Sequence, residues 1–138
     1  MRVFRRRHED RGQAMVEFAI VLPLLLMLLV AVFEFGRAWQ VFNTMTDAAR
    51  HAARSAVVAD PTVTQDSVLQ IAQNALARGA INPARATITV TGFRTGTGNP
   101  ATVTIQLPYE FVVLRPFMGW TSAESNFTLT TTFTMRNE

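Results

Sequence analysis

From Phe18 to Phe33 the chain carries no charged residue. Counted back through Ala14, the apolar stretch reaches the roughly 20 residues that cross a bilayer's hydrocarbon core as a helix. Glu17 interrupts it near its start, and Pro23 lies inside it, where the lost backbone hydrogen bond bends a helix. Past Phe33 the pattern changes but keeps a helical period. Phe35, Trp39, Phe42, Thr46, Ala49, Ala53 and Ala56 recur at alternating spacings of four and three residues, one face grading from aromatic to alanine. Asp47, Arg50, His51 and Arg54 fall to the opposite, solvated side. Asp60-Pro61 ends the pattern. The spacing predicts one helix from about Met15 to Ala59, about 65–70 Å long, serving as a stalk or as the spine of an outer domain.

A second helix is predicted from Val63 to Arg78. Thr62 with Gln65 fits a capping box, Asp66 suits the first turn and Gly79 the stop. After Ala86 the period falls to two. Ile88 and Val90, then Val103, Ile105 and Leu107, then Phe127, Leu129, Phe133 and Met135 alternate with threonines. These are three half-buried strands, about 86–92, 101–107 and 126–136, with apolar residues inward and threonine outward. The glycine-rich segment Gly92–Pro100 reads as a hairpin loop between the first two. Pro108 ends the second strand or places it at an edge. Leu114–Ser125 reads as a loop carrying Phe117, Met118 and Trp120, which either pack onto the domain or form an exposed partner patch. The expected fold class is α+β: a long N-terminal membrane helix running into an outer domain, with a second helix and a small antiparallel sheet.

Charge sharpens this picture. Of the net +3, all resides in residues 1–12, where five Arg face Glu9 and Asp10; eight Arg and eight acids balance over 13–138. Arg concentrated before an apolar helix places the N-terminus in the cytoplasm and the C-terminal domain outside. The balanced body argues against a nucleic-acid partner. An ordinary secretory signal has a shorter apolar region and a small-x-small cleavage site, which Phe33-Glu-Phe-Gly-Arg does not provide. A plain signal-anchor with an incidental glutamate is the other simple reading. The chain has no cysteine, hence no disulfide framework. The two histidines, the absence of a nucleophile motif and the lack of ligand spacing give no catalytic residues, no metal site, no cofactor and no small-molecule substrate. The expectation is a protein that is not an enzyme.

The stripe of Phe35, Trp39 and Phe42 reads two ways: a core face covered by the protein's own sheet, or a contact face for other helices, with Ala49 and Ala53 continuing it. Glu17 asks for compensation, because an unpaired charge in an apolar span costs about 2–3 kcal/mol even on lenient scales. Cleavage after Gly12 would make Gln13 the first residue and create an α-amino group near the membrane surface. Such an amine on a neighbouring chain could pair with Glu17, making it a register device for helix-on-helix assembly.

These features together resemble the TadE-like family: an Arg-rich leader, Gly12, Glu17 with Phe18, an apolar helix with Pro23, then EFGRAWQ and TDAARHAARSAV. The strong resemblance covers about residues 11–58, and the C-terminal TMRNE is also similar. One departure is Gln-Ala-Met after Gly12, where such proteins often have small residues. The resemblance covers TadE and TadF proteins alike. It implies a minor-pilin or pseudopilin-like component of the tight-adherence (Tad) pilus, related to type IV pilins and acting in bacterial adhesion. It also implies prepilin-peptidase processing at Gly12 and Gln13 in the inner membrane. Implied partners are other pilus subunits, the inner-membrane assembly platform, the peptidase and membrane lipid. Glu17, Phe18 and Pro23 would lie in the assembling helix. The alternative is an uncleaved, membrane-anchored module that binds a ligand or envelope protein.

Overall fold

The computed structural model describes residues 6–58, 60–112 and 126–137, with side chains from Gly12 onward except Asn126. The loop 114–125, with Phe117, Met118 and Trp120, lies outside these residues. Helix α1 spans Arg6–Val57, 52 residues, and runs through Pro23 without interruption. It begins earlier than the apolar pattern predicts, so the last of the arginine-rich N-terminal residues share its backbone. At 1.5 Å per residue it is about 78 Å long.

Helix α2 spans Gln65–Arg78 and opens two residues later than predicted. The cap is Thr64, not Thr62. Thr62 is already engaged: its amide and hydroxyl both donate to Asp60 Oδ1, at 2.8 and 2.7 Å. Thr64 Oγ1 accepts from the Ser67 amide at 3.2 Å, and Ser67 Oγ accepts from the Thr64 amide at 2.9 Å. Serine rather than Gln65 closes the capping box. Gly79 does end the helix, with φ −85°, while Ala80 takes the left-handed conformation at φ 59°. Glycine at 79 also suits a close approach: a Cβ there would meet the Thr44 side chain of α1, which would have to shift.

Three antiparallel strands follow in the order β1-β2-β3: β1 Thr87–Thr91, β2 Pro100–Glu110 and β3 Asn126–Arg136. Val90 pairs with Val103, and Val103 with Phe133. β2 passes Pro108 and continues to Glu110. Pro108 is tolerated because β1 stops opposite Gln106, leaving that flank of β2 open. The outer face carries cross-strand threonine pairs, Thr102 with Thr134 at 2.9 Å and Thr104 with Thr132 at 3.3 Å.

The core lies between the inner face of this sheet and the outer half of α1, with α2 alongside. Met45, Ala48, Ala49, Ala52 and Ala53 are fully buried on α1 and meet Val68, Ala72 and Leu76 of α2 and Val103 and Ile105 of β2. Thr44 and Ala48 line the side toward α2. Thr46 reaches β3 through a 3.2 Å hydroxyl contact with Thr131, and Arg50 lies over the Phe133 ring. By helical spacing Ala49 and Ala53 share that side. The predicted alanine contact with the sheet is therefore present, but the buried arc is wider than the predicted stripe. Alanine suits it, since two neighbours must approach the same helix closely.

Candidate functional site

Along the apolar run of α1 the side chains are bare. Phe18 is 62% exposed, Ile20 63%, Leu24 63% and Phe33 75%, and none of the 18-residue apolar window is buried by the rest of the chain. So large an apolar surface is not left to water; it is long and apolar enough to cross a membrane. Gly12, Gln13, Glu17, Phe18 and Pro23 all lie on this helix before the domain begins. Nothing stands within 4 Å of a Cβ built on Gly12. Among the described residues no hydrogen bond or ion pair reaches Glu17.

One residue past the apolar run, the chemistry changes abruptly. The Glu34 side chain is only 1% exposed. Arg37, one helical turn on, donates to Glu34 Oε1 from Nη2 at 2.6 Å and from Nε at 3.1 Å. The Tyr109 hydroxyl donates to the same oxygen at 3.0 Å, and the Val112 amide reaches it at 3.4 Å. Arg37 Nη2 also donates to the Glu110 carbonyl at 2.6 Å, and its guanidinium lies 4.9 Å from the Tyr109 ring centre. The carboxylate thus ties the end of β2 to the point where α1 leaves the apolar segment. Burying it without such partners would cost several kcal/mol. Burial by itself lowers the Arg37 pKa, but the hydrogen bond to Glu34 and the charges of Tyr109 and Glu34 together hold the guanidinium above its ordinary value. Burial, then the bond to Glu34, raise the Tyr109 phenol above its ordinary value, against the pull of Arg37. The sequence reading quoted EFGR as a motif and gave Glu34 and Arg37 no role. The signal available was the i,i+3 acid–base pair just past an apolar span; Tyr109 had none.

The predicted face divides here. Ala49 and Ala53 belong to the core, whereas Phe35 and Trp39 remain 70% and 58% exposed. They stack at 6.3 Å between ring centres, with Phe42 next along at 6.4 Å from Trp39. Tyr109, Phe111, Phe127 and Leu129 form the facing wall of an open apolar groove of about 530 Å³. Phe127 keeps the inward phase of β3 but is 57% exposed, contrary to its predicted burial, because the helix opposite it leaves this groove rather than a closed core. The sheet therefore flanks the aromatic stripe without covering it.

At the far end of the domain the TMRNE segment closes a second clamp. Asn137 Nδ2 donates to the Gly92 carbonyl at 3.0 Å, and its backbone exchanges bonds with Asn99 and Gly98 at 2.9 and 2.8 Å. It locks the hairpin loop, in which Gly92 adopts φ 72° and any Cβ would strike the Pro100 carbonyl. Among the described residues no cluster of His, Asp and Glu could hold a metal ion.

The architecture defines a pilin-like α+β protein: a long apolar N-terminal helix running into a small domain with a second helix and a three-stranded antiparallel sheet. Within it, residues 12–54 match the family described as TadE-like protein, so the chain carries a TadE-like segment from Gly12 to the alanine-lined face of α1. No curated protein and no solved structure matches the chain.

Proposed function

We propose that this protein is a non-enzymatic minor pilin or pseudopilin-like subunit, cleaved after Gly12 and needed to assemble a tight-adherence pilus. The observation that carries the reading is the TadE-like match beginning at Gly12, on a helix that continues unbroken from the leader into the domain. Gly12 suits processing physically. It has open space around it, and glycine holds a helix about 1 kcal/mol less firmly than alanine, so a peptidase can extend the chain there most easily. The Arg excess before it orients the N-terminus to the cytoplasm and the domain to the exterior of the inner membrane. Exposed Glu17 then meets the new α-amino group of a neighbouring subunit and sets register, while the apolar helix packs in the assembly platform.

The test is the intact mass of the protein from native membranes. A mature N-terminus at Gln13, lost in Gly12→Val, is the expected result. A protein beginning at Met1 removes the main support for this reading and favours an uncleaved, membrane-anchored binding module.

A further inference from the structure

The apolar groove beside Trp39 opens at the level of the lipid boundary. If the bilayer-crossing stretch ends at Phe33, Phe35 lies about 3 Å and Trp39 about 9 Å further along the axis. The headgroup layer adds about 5–8 Å outside the hydrocarbon core. The sheet reaches the same level, since Tyr109 and Val112 both contact Glu34 and Phe127 pairs with Tyr109 across the β2–β3 ladder. The groove's inner end is Ala31, which belongs to the apolar run itself. Among the described residues no element separates the two, so the lipid that surrounds Ala31 can extend along the groove. Among its described lining residues the one acid is Glu34, which is buried and matched by Arg37.

We infer that the groove formed by Ala31, Phe35, Trp39, Phe111, Phe127 and Leu129 binds membrane lipid, seating the end of the sheet in the interface. The occupant is the interfacial region of the leaflet that α1 leaves, with acyl and glycerol groups at Ala31 and Phe35 and headgroups toward Trp39. Amphipathic and aromatic side chains favour that layer, and the exposed Phe127 of β3 lines the groove there. The domain is then docked on the bilayer rather than held off it by a stalk. The inference rests on the membrane-spanning reading of α1 but not on cleavage or on pilus assembly.

The experiment uses the full chain reconstituted in phosphatidylcholine vesicles. Carbonate extraction first establishes the span, independently of the groove. Phe127→Trp, in a Trp39→Phe and Trp120→Phe background, then places a single tryptophan on the sheet side. Vesicles with bromine on shallow acyl positions should cut its emission by more than half, equally at low and high protein-to-lipid ratio, and acrylamide should quench it weakly. Strong acrylamide quenching without bromine quenching would mean that the domain stands clear of the lipid. Protection from both quenchers that grows with protein density would assign the groove to another copy of the chain. Either result overturns the proposal. Phe111→Trp in the same background reads the same groove should Phe127→Trp disturb the fold.

Discussion

Removing the two partners of the Glu34–Arg37 pair should have unequal effects, and the inequality tests whether the cluster fastens the domain to α1. In Glu34→Leu the carboxylate is replaced by an apolar side chain of similar size. Arg37, 44% exposed, turns to water and keeps its bond to the Glu110 carbonyl. The Tyr109 hydroxyl loses its 3.0 Å acceptor and retains only the Glu34 carbonyl at 3.4 Å. The expected loss is about 2 kcal/mol, below the 3–5 kcal/mol of a fully buried broken pair. Arg37→Met leaves the carboxylate buried with its cation gone, so about 3 kcal/mol or more is expected. Tyr109→Phe removes one hydrogen bond, about 1 kcal/mol. For a domain of this size each kcal/mol lowers Tm by about 4–8 °C, which predicts a drop of about 8–16 °C for Glu34→Leu. Thermal melts of the full chain in mild detergent, followed by near-ultraviolet circular dichroism, report the domain rather than the apolar helix. The double variant Glu34→Leu/Tyr109→Phe should cost less than the sum of its singles by about 1 kcal/mol. A Glu34→Leu melt within about 2 °C of the parent, or a smaller effect for Arg37→Met than for Tyr109→Phe, would refute the reasoning.

Tyr109 is the chain's one tyrosine, so a phenolate absorbance titration reports it alone. Its raised pKa means that its stabilisation is complete below about 10 and is lost as pH rises through the higher folded value. The native midpoint should exceed that of the denatured chain, and a midpoint at or below it would contradict the site. Ala53→Leu should overpack the contact of α1 with the sheet, at about 1–3 kcal/mol, and lower Tm; an unchanged Tm would show that face to be free. Glu17→Leu and Glu17→Gln should insert and be cut normally yet fail to capture other pilus subunits. Normal capture by both would remove the proposed amine pairing.

Most of the architecture was legible because it rests on period. The apolar run, the helical face of α1 and the threonine-alternating strands each repeat often enough to announce themselves. What escaped depends on single contacts between distant segments. Thr62 looked like a cap until Asp60 is seen to occupy it. Thr131 holds an inward position on β3, where a hydroxyl is bonded to Thr46, and only the strand's phase hinted at it. Gly79 signalled a helix end correctly, but the close approach it makes is to Thr44, 35 positions earlier. The exposure of Phe127 depends on where the helix opposite it stops being covered. Glu34 and Arg37 were visible as a motif, but their meaning waits on Tyr109, which lies 75 residues from Glu34.

The cluster also bears on how a contact made inside the membrane reaches the domain. Glu17 and Glu34 are 17 residues apart on one uninterrupted helix, about 26 Å along the axis. The helix is unbroken through Pro23, so the direction in which Glu17 points is coupled to the direction in which Glu34 points. Glu34 is in turn bonded to β2 through Tyr109 and the Val112 amide, and further out Thr46 and Arg50 engage β3. A domain tethered by a flexible linker could rotate freely whatever its anchor touched. Here the anchor, the boundary pair and the sheet share one continuous helix, and the first domain contact falls within a turn of the end of the apolar run. The proposed register contact at Glu17 would therefore fix both the height and the facing of the outer domain. A buried carboxylate at Glu34 adds to this tie: an apolar residue there would leave the end of β2 held to the helix only by the Arg37 bond to the Glu110 carbonyl and the longer Tyr109 contact with the backbone of residue 34.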